Sequence, residues 1–284
     1  MGEKGFYEEH DGTQFYVKHI KTNSDYGLIW IHGLGEHCER YNHCFDVWSK
    51  KLEIISFDQR GFGQTVLKSN MPLGCNFGFE TVLNDVVYFS KKLKAPKVFI
   101  GGQSMGGLIC LSVLEKMIQE SGKEVLGVFA TSPAIKAGPA TDANAFMKWI
   151  VSILSTLLPT VGVPRPVPAE DLCHDPIVWK DYTEDEFVHP YMTFITGNSL
   201  IVAGDYLQKY PEKWNPTNVP ILITFGSVDV IANPEASSKF IDGIKTTDKT
   251  FKLYDGLKHE LHNEPRVKDE VISYYLEWMM TRAK

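Results

Sequence analysis

A G-x-S-x-G pattern, Gly102-Gln103-Ser104-Met105-Gly106, stands between a β-branched run at Val98 to Ile100 and a segment of helical period opening at Gly107. A strand that reverses sharply into a helix strains its central residue, and side chains two positions to either side would collide, so glycine is needed at both. Ser104 is then thrust out at the carboxyl edge of a sheet, the placement of a nucleophile elbow. A serine hydroxyl is a poor nucleophile near neutral pH. It needs a base within hydrogen-bond reach and a third group to orient that base.

On a frame of this kind the chain order is serine, acid, histidine, each later member in a loop after a later strand. Of nine histidines, only His259 and His262 follow the last candidate acid, which removes His10, His19, His32, His37, His43, His174 and His189 as the base. His259 comes just after the strand-like run Thr250 to Tyr254 and is assigned as the base; His262 falls to a surface or supporting position. Asp229, in Gly226-Ser227-Val228-Asp229 just beyond the run Ile221 to Phe225, is assigned as the acid. Asp205 lies in an insertion and Asp242 and Asp248 flank a helix end. Asp255 is the rival, too near His259 in sequence to come from a neighbouring strand. Attack on an ester creates an oxyanion that needs preorganised amide donors. Met105, at the start of the helix after the serine, supplies one. Leu34, in the turn His32-Gly33-Leu34-Gly35 after the run Gly27 to Ile31, supplies the other.

Positioning these residues requires buried strands at Gly27 to Ile31, Glu53 to Phe57, Val98 to Ile100, Val125 to Ala130, Ile221 to Phe225 and Thr250 to Tyr254. They alternate with helical segments at Phe45 to Leu52, Glu80 to Leu93, Gly107 to Gln119, Ala236 to Ile244 and Val267 to Met280. Such alternation predicts an α/β fold, a mostly parallel sheet with helices on both faces. Phe6 to Glu9 and Phe15 to Ile20, split by Asp11-Gly12, predict a hairpin pairing antiparallel at one edge.

About ninety residues separate the strand ending at Ala130 from the one starting at Ile221, so an inserted helical cap over 135–216 is expected on a core of 1–134 and 217–284. Its first helix, Ala143 to Leu158, has an apolar arc of roughly 200°, wider than one packing face requires. Either it is wedged between the core and the rest of the insertion, or it is a lid whose surplus face lines a channel or meets a lipid surface. Val161 to Pro168, with three prolines, reads as a stiff extended connector.

Composition excludes several classes of function. The formal charge is −6, with 29 Lys+Arg against 35 Asp+Glu, so no nucleic-acid surface is expected. Five cysteines without a C-x-x-C pair suit neither a disulfide framework nor a thiolate zinc site and point to a reducing, cytoplasmic setting. The Met1 to Phe6 start lacks an apolar leader and a myristoylation signal, and no stretch approaches about 20 apolar residues. Membrane contact is therefore expected to be peripheral. The histidines of His259-Glu260-Leu261-His262 are three apart where a zinc protease motif needs four. No P-loop exists, and Cys38 stands where a dinucleotide fingerprint needs its third glycine. No metal or cofactor is expected.

The chain resembles the α/β-hydrolase family, and within it the monoacylglycerol lipases, over almost its whole length. The resemblance rests on His32-Gly-Leu-Gly-Glu-His37, Phe57-Asp58-Gln-Arg60-Gly-Phe-Gly63, Gly102-Gln-Ser-Met-Gly-Gly107, Gly226-Ser-Val-Asp229 and Tyr254-Asp-Gly-Leu-Lys-His259. It implies the same triad and oxyanion donors. It also implies a mobile cap over an acyl channel, binding at a membrane or lipid-droplet surface, and hydrolysis of monoacylglycerol to fatty acid and glycerol. Glu36, Arg40 and Tyr182 match polar, glycerol-side positions. Gln103 departs from the histidine many members carry before the nucleophile. A lysophospholipase or general carboxylesterase would use the same triad. Dehalogenases and epoxide hydrolases would carry aspartate at Ser104, and a non-catalytic binding protein would lack part of the triad.

Overall fold

The structure is a computed structural model, and it describes residues 4–214 and 217–283. Residues 1–3, 215–216 and 284 lie outside the described residues, and with them the Met1 to Glu3 part of the N-terminal reading and the expected domain limits at 1, 216 and 284.

The elements run β1 (Phe6–His10), β2 (Thr13–Ile20), β3 (Tyr26–Ile31), α1 (Asn42–Trp48), β4 (Glu53–Phe57), α2 (Gly63–Ser69), α3 (Phe79–Ser90), β5 (Lys97–Gln103), α4 (Met105–Ser112), α5 (Leu114–Glu120) and β6 (Glu124–Thr131). They continue as α6 (Ala145–Leu157), β7 (Gly162–Pro164), α7 (Pro176–Glu184), β8 (Tyr191–Thr193), α8 (Phe194–Lys209), β9 (Ile221–Gly226), α9 (Pro234–Gly243), β10 (Lys249–Tyr254) and α10 (Lys268–Met280). The eight-stranded sheet has the order β1-β2-β4-β3-β5-β6-β9-β10. The β1–β2 hairpin pairs antiparallel with β4, and every pairing from β4 to β10 is parallel. This is the expected α/β-hydrolase architecture.

Parallel strands covered on both sides read as near-continuous apolar runs. β4 is buried throughout, and so is β9. One face packs on α3, α4, α5 and α9, with Val86, Leu108 and Phe240 in that core. The other packs on α1 and α10, through Trp48, Tyr275 and Trp278. β4 and β5 flank β3 on opposite sides. Chain direction across the sheet therefore reverses beside β3, and the crevice at the carboxyl ends there is where such sheets place their sites.

One local expectation needs correction. The single helix expected over Gly107 to Gln119 is two, α4 and α5, meeting at Val113. The Ser112 hydroxyl donates back to Leu108 O at 2.9 Å, a bond that bends helices. Within the connector Val161 to Pro168, β7 pairs antiparallel with β8. α6 has no fully buried residue. Ile150, Val151 and Leu154 line a cavity, while Phe146, Trp149 and Leu157 are 65%, 59% and 68% exposed. The wide apolar arc thus divides between a cavity wall and open surface. Among the described residues, no strand between β6 and β9 joins the main sheet.

Candidate active site

Ser104 sits between β5 and α4 with φ 55° and ψ −116°, a sparsely populated region for a residue with a side chain. Holding it there costs about 1–3 kcal/mol, which the surrounding packing must supply. Both flanking glycines are sterically required. A Cβ on Gly102 would lie 2.4 Å from Gly106 O, and one on Gly106 would lie 2.0 Å from Ile31 O. The elbow is pinned by Ser104 N–H donating to Thr131 O at 3.0 Å. Met105 N–H, at the first position of α4, has no acceptor within its own helix.

His259 and Asp229 come from the loops after β10 and β9, which pair in parallel. His259 Nδ1 lies 2.7 Å from Asp229 Oδ2, and both side chains are buried. Asp229 Oδ1 accepts from the backbone N–H groups of Ile231 (2.8 Å) and Ala232 (3.0 Å), which fixes the carboxylate plane. Asp255 instead accepts from the Ser227 hydroxyl at 3.1 Å on the exposed side. Burial alone would push the His259 imidazole toward its neutral form. The carboxylates of Asp229, Glu260 and Glu36 outweigh burial and raise its pKa above the ordinary value.

One cavity of about 710 Å³ is lined by Ser104, His259, Leu34 and Met105. Most of its wall is apolar, including Ile135, Val151, Leu154, Leu200 and Ile231. Glu36, Arg40, Tyr182 and Glu260 form a polar part of the same wall. There Arg40 makes a fork with Glu260 at 2.8 and 2.9 Å and a second ion pair with Glu36. Glu36 also accepts from Gly33 N–H and the Tyr41 hydroxyl, both at 2.5 Å, so it braces the turn that carries Leu34. The Tyr182 ring lies under the Arg40 guanidinium, 4.9 Å from its centroid. The eight residues singled out from the sequence are therefore brought together, seven on the cavity wall and Asp229 behind His259.

Other participants were not legible in the sequence. Gln103 Nε2 donates to His259 O at 3.1 Å, joined there by the Ser132 hydroxyl at 2.8 Å. His32 is excluded as a base by its bonds as well as by chain order. Its Nε2 accepts from Gln59 N–H at 2.9 Å, and burial pushes its pKa down to about 3. His262 is buried rather than at the surface, against Tyr41 and His43. The segment between β6 and β9 is tied to the site by Glu260 N–H donating to Leu172 O at 2.7 Å and by His37 Nε2 with Asp185 Oδ2 at 2.8 Å. Among the described residues, no group of three or more His, Cys, Asp or Glu side chains could hold a metal ion.

Comparison with known proteins agrees with this architecture. A monoacylglycerol lipase structure from Paleococcus ferrophilus superposes with a TM-score of 0.84 at 25% identity, covering 94% of this chain and 99% of that one. The monoglyceride lipase of Saccharomyces cerevisiae is 28% identical over 292 residues, 96% of this chain and 92% of that protein. An uncharacterized abhydrolase domain-containing protein of Dictyostelium discoideum is 29% identical over 94% of this chain, which spans only 27% of that protein. A Schizosaccharomyces pombe relative at 28% identity is spanned to 64% of its length. Residues 23–266, holding the elbow, the acid and the histidine, match the family Hydrolase_4, serine aminopeptidase S33, and the chain belongs to that family.

Proposed function

We propose that this chain hydrolyses monoacylglycerols to fatty acid and glycerol through an acyl-enzyme intermediate. The observation that carries the reading is a cavity lined by both Ser104 and His259, apolar along most of its wall, with Glu36, Arg40, Tyr182 and Glu260 among its polar residues. Its volume of about 710 Å³ lies within the range of roughly 300–1,000 Å³ typical of small-ligand pockets. The names of the yeast and Paleococcus relatives support the same substrate class.

In this reading Ser104 Oγ attacks the ester carbonyl while His259 takes its proton, and Asp229 holds the imidazole in the tautomer that leaves Nε2 free. The amides of Leu34 and Met105 stabilise the oxyanion. The tetrahedral intermediate collapses, the C–O bond to glycerol breaks, and His259 returns its proton to the glycerol oxygen. Water then repeats the sequence on the acyl-enzyme. Glu36, Arg40 and Tyr182 take the glycerol side. A core of 1–134 and 217–284 carries the triad, and 135–216 forms the cap.

The carboxylates of Glu36 and Glu260 both occupy the Arg40 guanidinium, which disfavours a phosphate on Arg40. The expected result is a kcat/KM on monooleoylglycerol about tenfold or more above that on lysophosphatidic acid, with no release from aminoacyl nitroanilides. Equal turnover of both lipids would reassign the chain as a lysophospholipase or general esterase; nitroanilide cleavage alone would make it an aminopeptidase.

No described helix is long and apolar enough to cross a membrane. The exposed face of α6, with Phe146, Trp149 and Leu157, is proposed as the peripheral contact with a membrane or lipid droplet, on a cytoplasmic protein. Trp149→Glu is expected to weaken binding to phosphatidylcholine vesicles about fivefold or more while leaving short-chain ester turnover within twofold. Undiminished vesicle binding would leave α6 as a cavity wall alone.

A further inference from the structure

Glu260 follows His259 directly and is itself almost fully buried, 2% exposed. It is a junction of three parts of the chain. Its carboxylate grips Arg40 from the turn after β3, at 2.8 and 2.9 Å, across 220 residues of sequence. One of its oxygens also accepts from Asn263 Nδ2 at 2.7 Å, within its own loop. Its backbone N–H donates to Leu172 O of the inserted segment.

A buried carboxylate fully engaged by a guanidinium could be structural filler. The charge count argues otherwise, because Arg40 is shared between Glu260 and Glu36, which leaves a surplus negative charge among the three. Proton transfer from Ser104 turns His259 from neutral to cationic, so a fixed negative charge nearby favours the state that forms during reaction. Several charged and titratable groups stand near His259. Asp229 comes from the end of β9, Glu36 and Arg40 from the turn after β3, and Glu260 and His262 from its own loop. Burial keeps His262 neutral, with a pKa pushed down to about 3. For Glu260 itself, burial works against ionisation, but the Arg40 guanidinium outweighs it and holds the carboxyl below its usual range.

We propose that Glu260 is a positioning residue for the His259 base, tying its loop to Arg40 and keeping net negative charge beside the imidazolium that forms on proton transfer. This rests on the reading of His259 as the base, and it does not depend on which ester is the substrate.

The test is the pH dependence of kcat/KM on p-nitrophenyl butyrate, which reports the free enzyme's base. The base must be neutral to act, so a lower imidazole pKa moves the acid limb to lower pH. Glu260→Gln is expected to move that limb down by about half a pH unit or more. Glu260→Asp, which keeps the charge, is expected to restore it. A Glu260→Gln enzyme that is slower but has an unmoved limb would reduce Glu260 to a structural strut and overturn the proposal. Should Glu260→Gln fail to fold, Glu260→Met, which also removes the charge, is read in the same way. Because the ester is short, a moved limb without monooleoylglycerol activity would defeat the substrate reading alone. An unmoved limb with that activity would defeat only the proposal.

Discussion

Ser104→Ala is expected to lower kcat on any accepted ester by about 10⁴-fold or more while leaving the unfolding midpoint within a few degrees. The size follows from chemistry, since alanine leaves no atom to form the acyl-enzyme, and only the oxyanion donors and binding remain. Stability should hold because the hydroxyl makes no bond that the fold needs. The elbow is fixed by the backbone bond from Ser104 N–H to Thr131 O and by the two glycines. Alanine meets the same strain at φ 55° as serine does. Titration of released acid, with circular dichroism of the same sample, checks both halves of the expectation.

Asp229→Asn is expected to cost on the order of 10³–10⁴ in kcat, for a different reason. Asp229 Oδ1 is occupied by the amides of Ile231 and Ala232, and Oδ2 alone faces His259 Nδ1. An asparagine will keep its oxygen on those two amides and turn its NH₂ toward the imidazole. Nδ1 must then accept, the ring proton moves to Nε2, and Nε2 can no longer serve as the base for Ser104. Losing the carboxylate also removes the leading cause that raises the His259 pKa, so the remaining activity should show an acid limb at lower pH. A variant retaining a tenth or more of parental kcat would mean that another group orients the base.

The elbow was legible in sequence because its constraint is local. Gly102 and Gly106 are dictated by contacts that any strand-to-helix reversal creates. Asp229 and His259 were legible through order, since parallel strands deliver successive loops to one edge of the sheet and only a few residues stand in the right loops. The sheet followed from its buried apolar runs, as β4 and β9 illustrate. What escaped notice was side-chain chemistry across long separations. The bond from Gln103 to His259 O and the fork of Arg40 on Glu260 span 156 and 220 residues and leave no periodic mark. Glu260 drew attention only inside a false metal motif. The inserted segment was opaque for another reason. β7 and β8 are three residues each, Pro164 closes the first, and neither has the length over which alternation can be read. α6 was visible as a helix with too much apolar surface, but only the fold shows which side meets the cavity and which stays open.

Covalent capture tests the central assignment most directly. A fluorophosphonate offered to the intact protein transfers its phosphonyl group to an activated serine with loss of fluoride, and peptide mass spectrometry locates the adduct. The assignment predicts one equivalent on Ser104, abolished in Ser104→Ala and slowed in Asp229→Asn. Stoichiometric labelling of a different residue, or none from a folded protein, would contradict it.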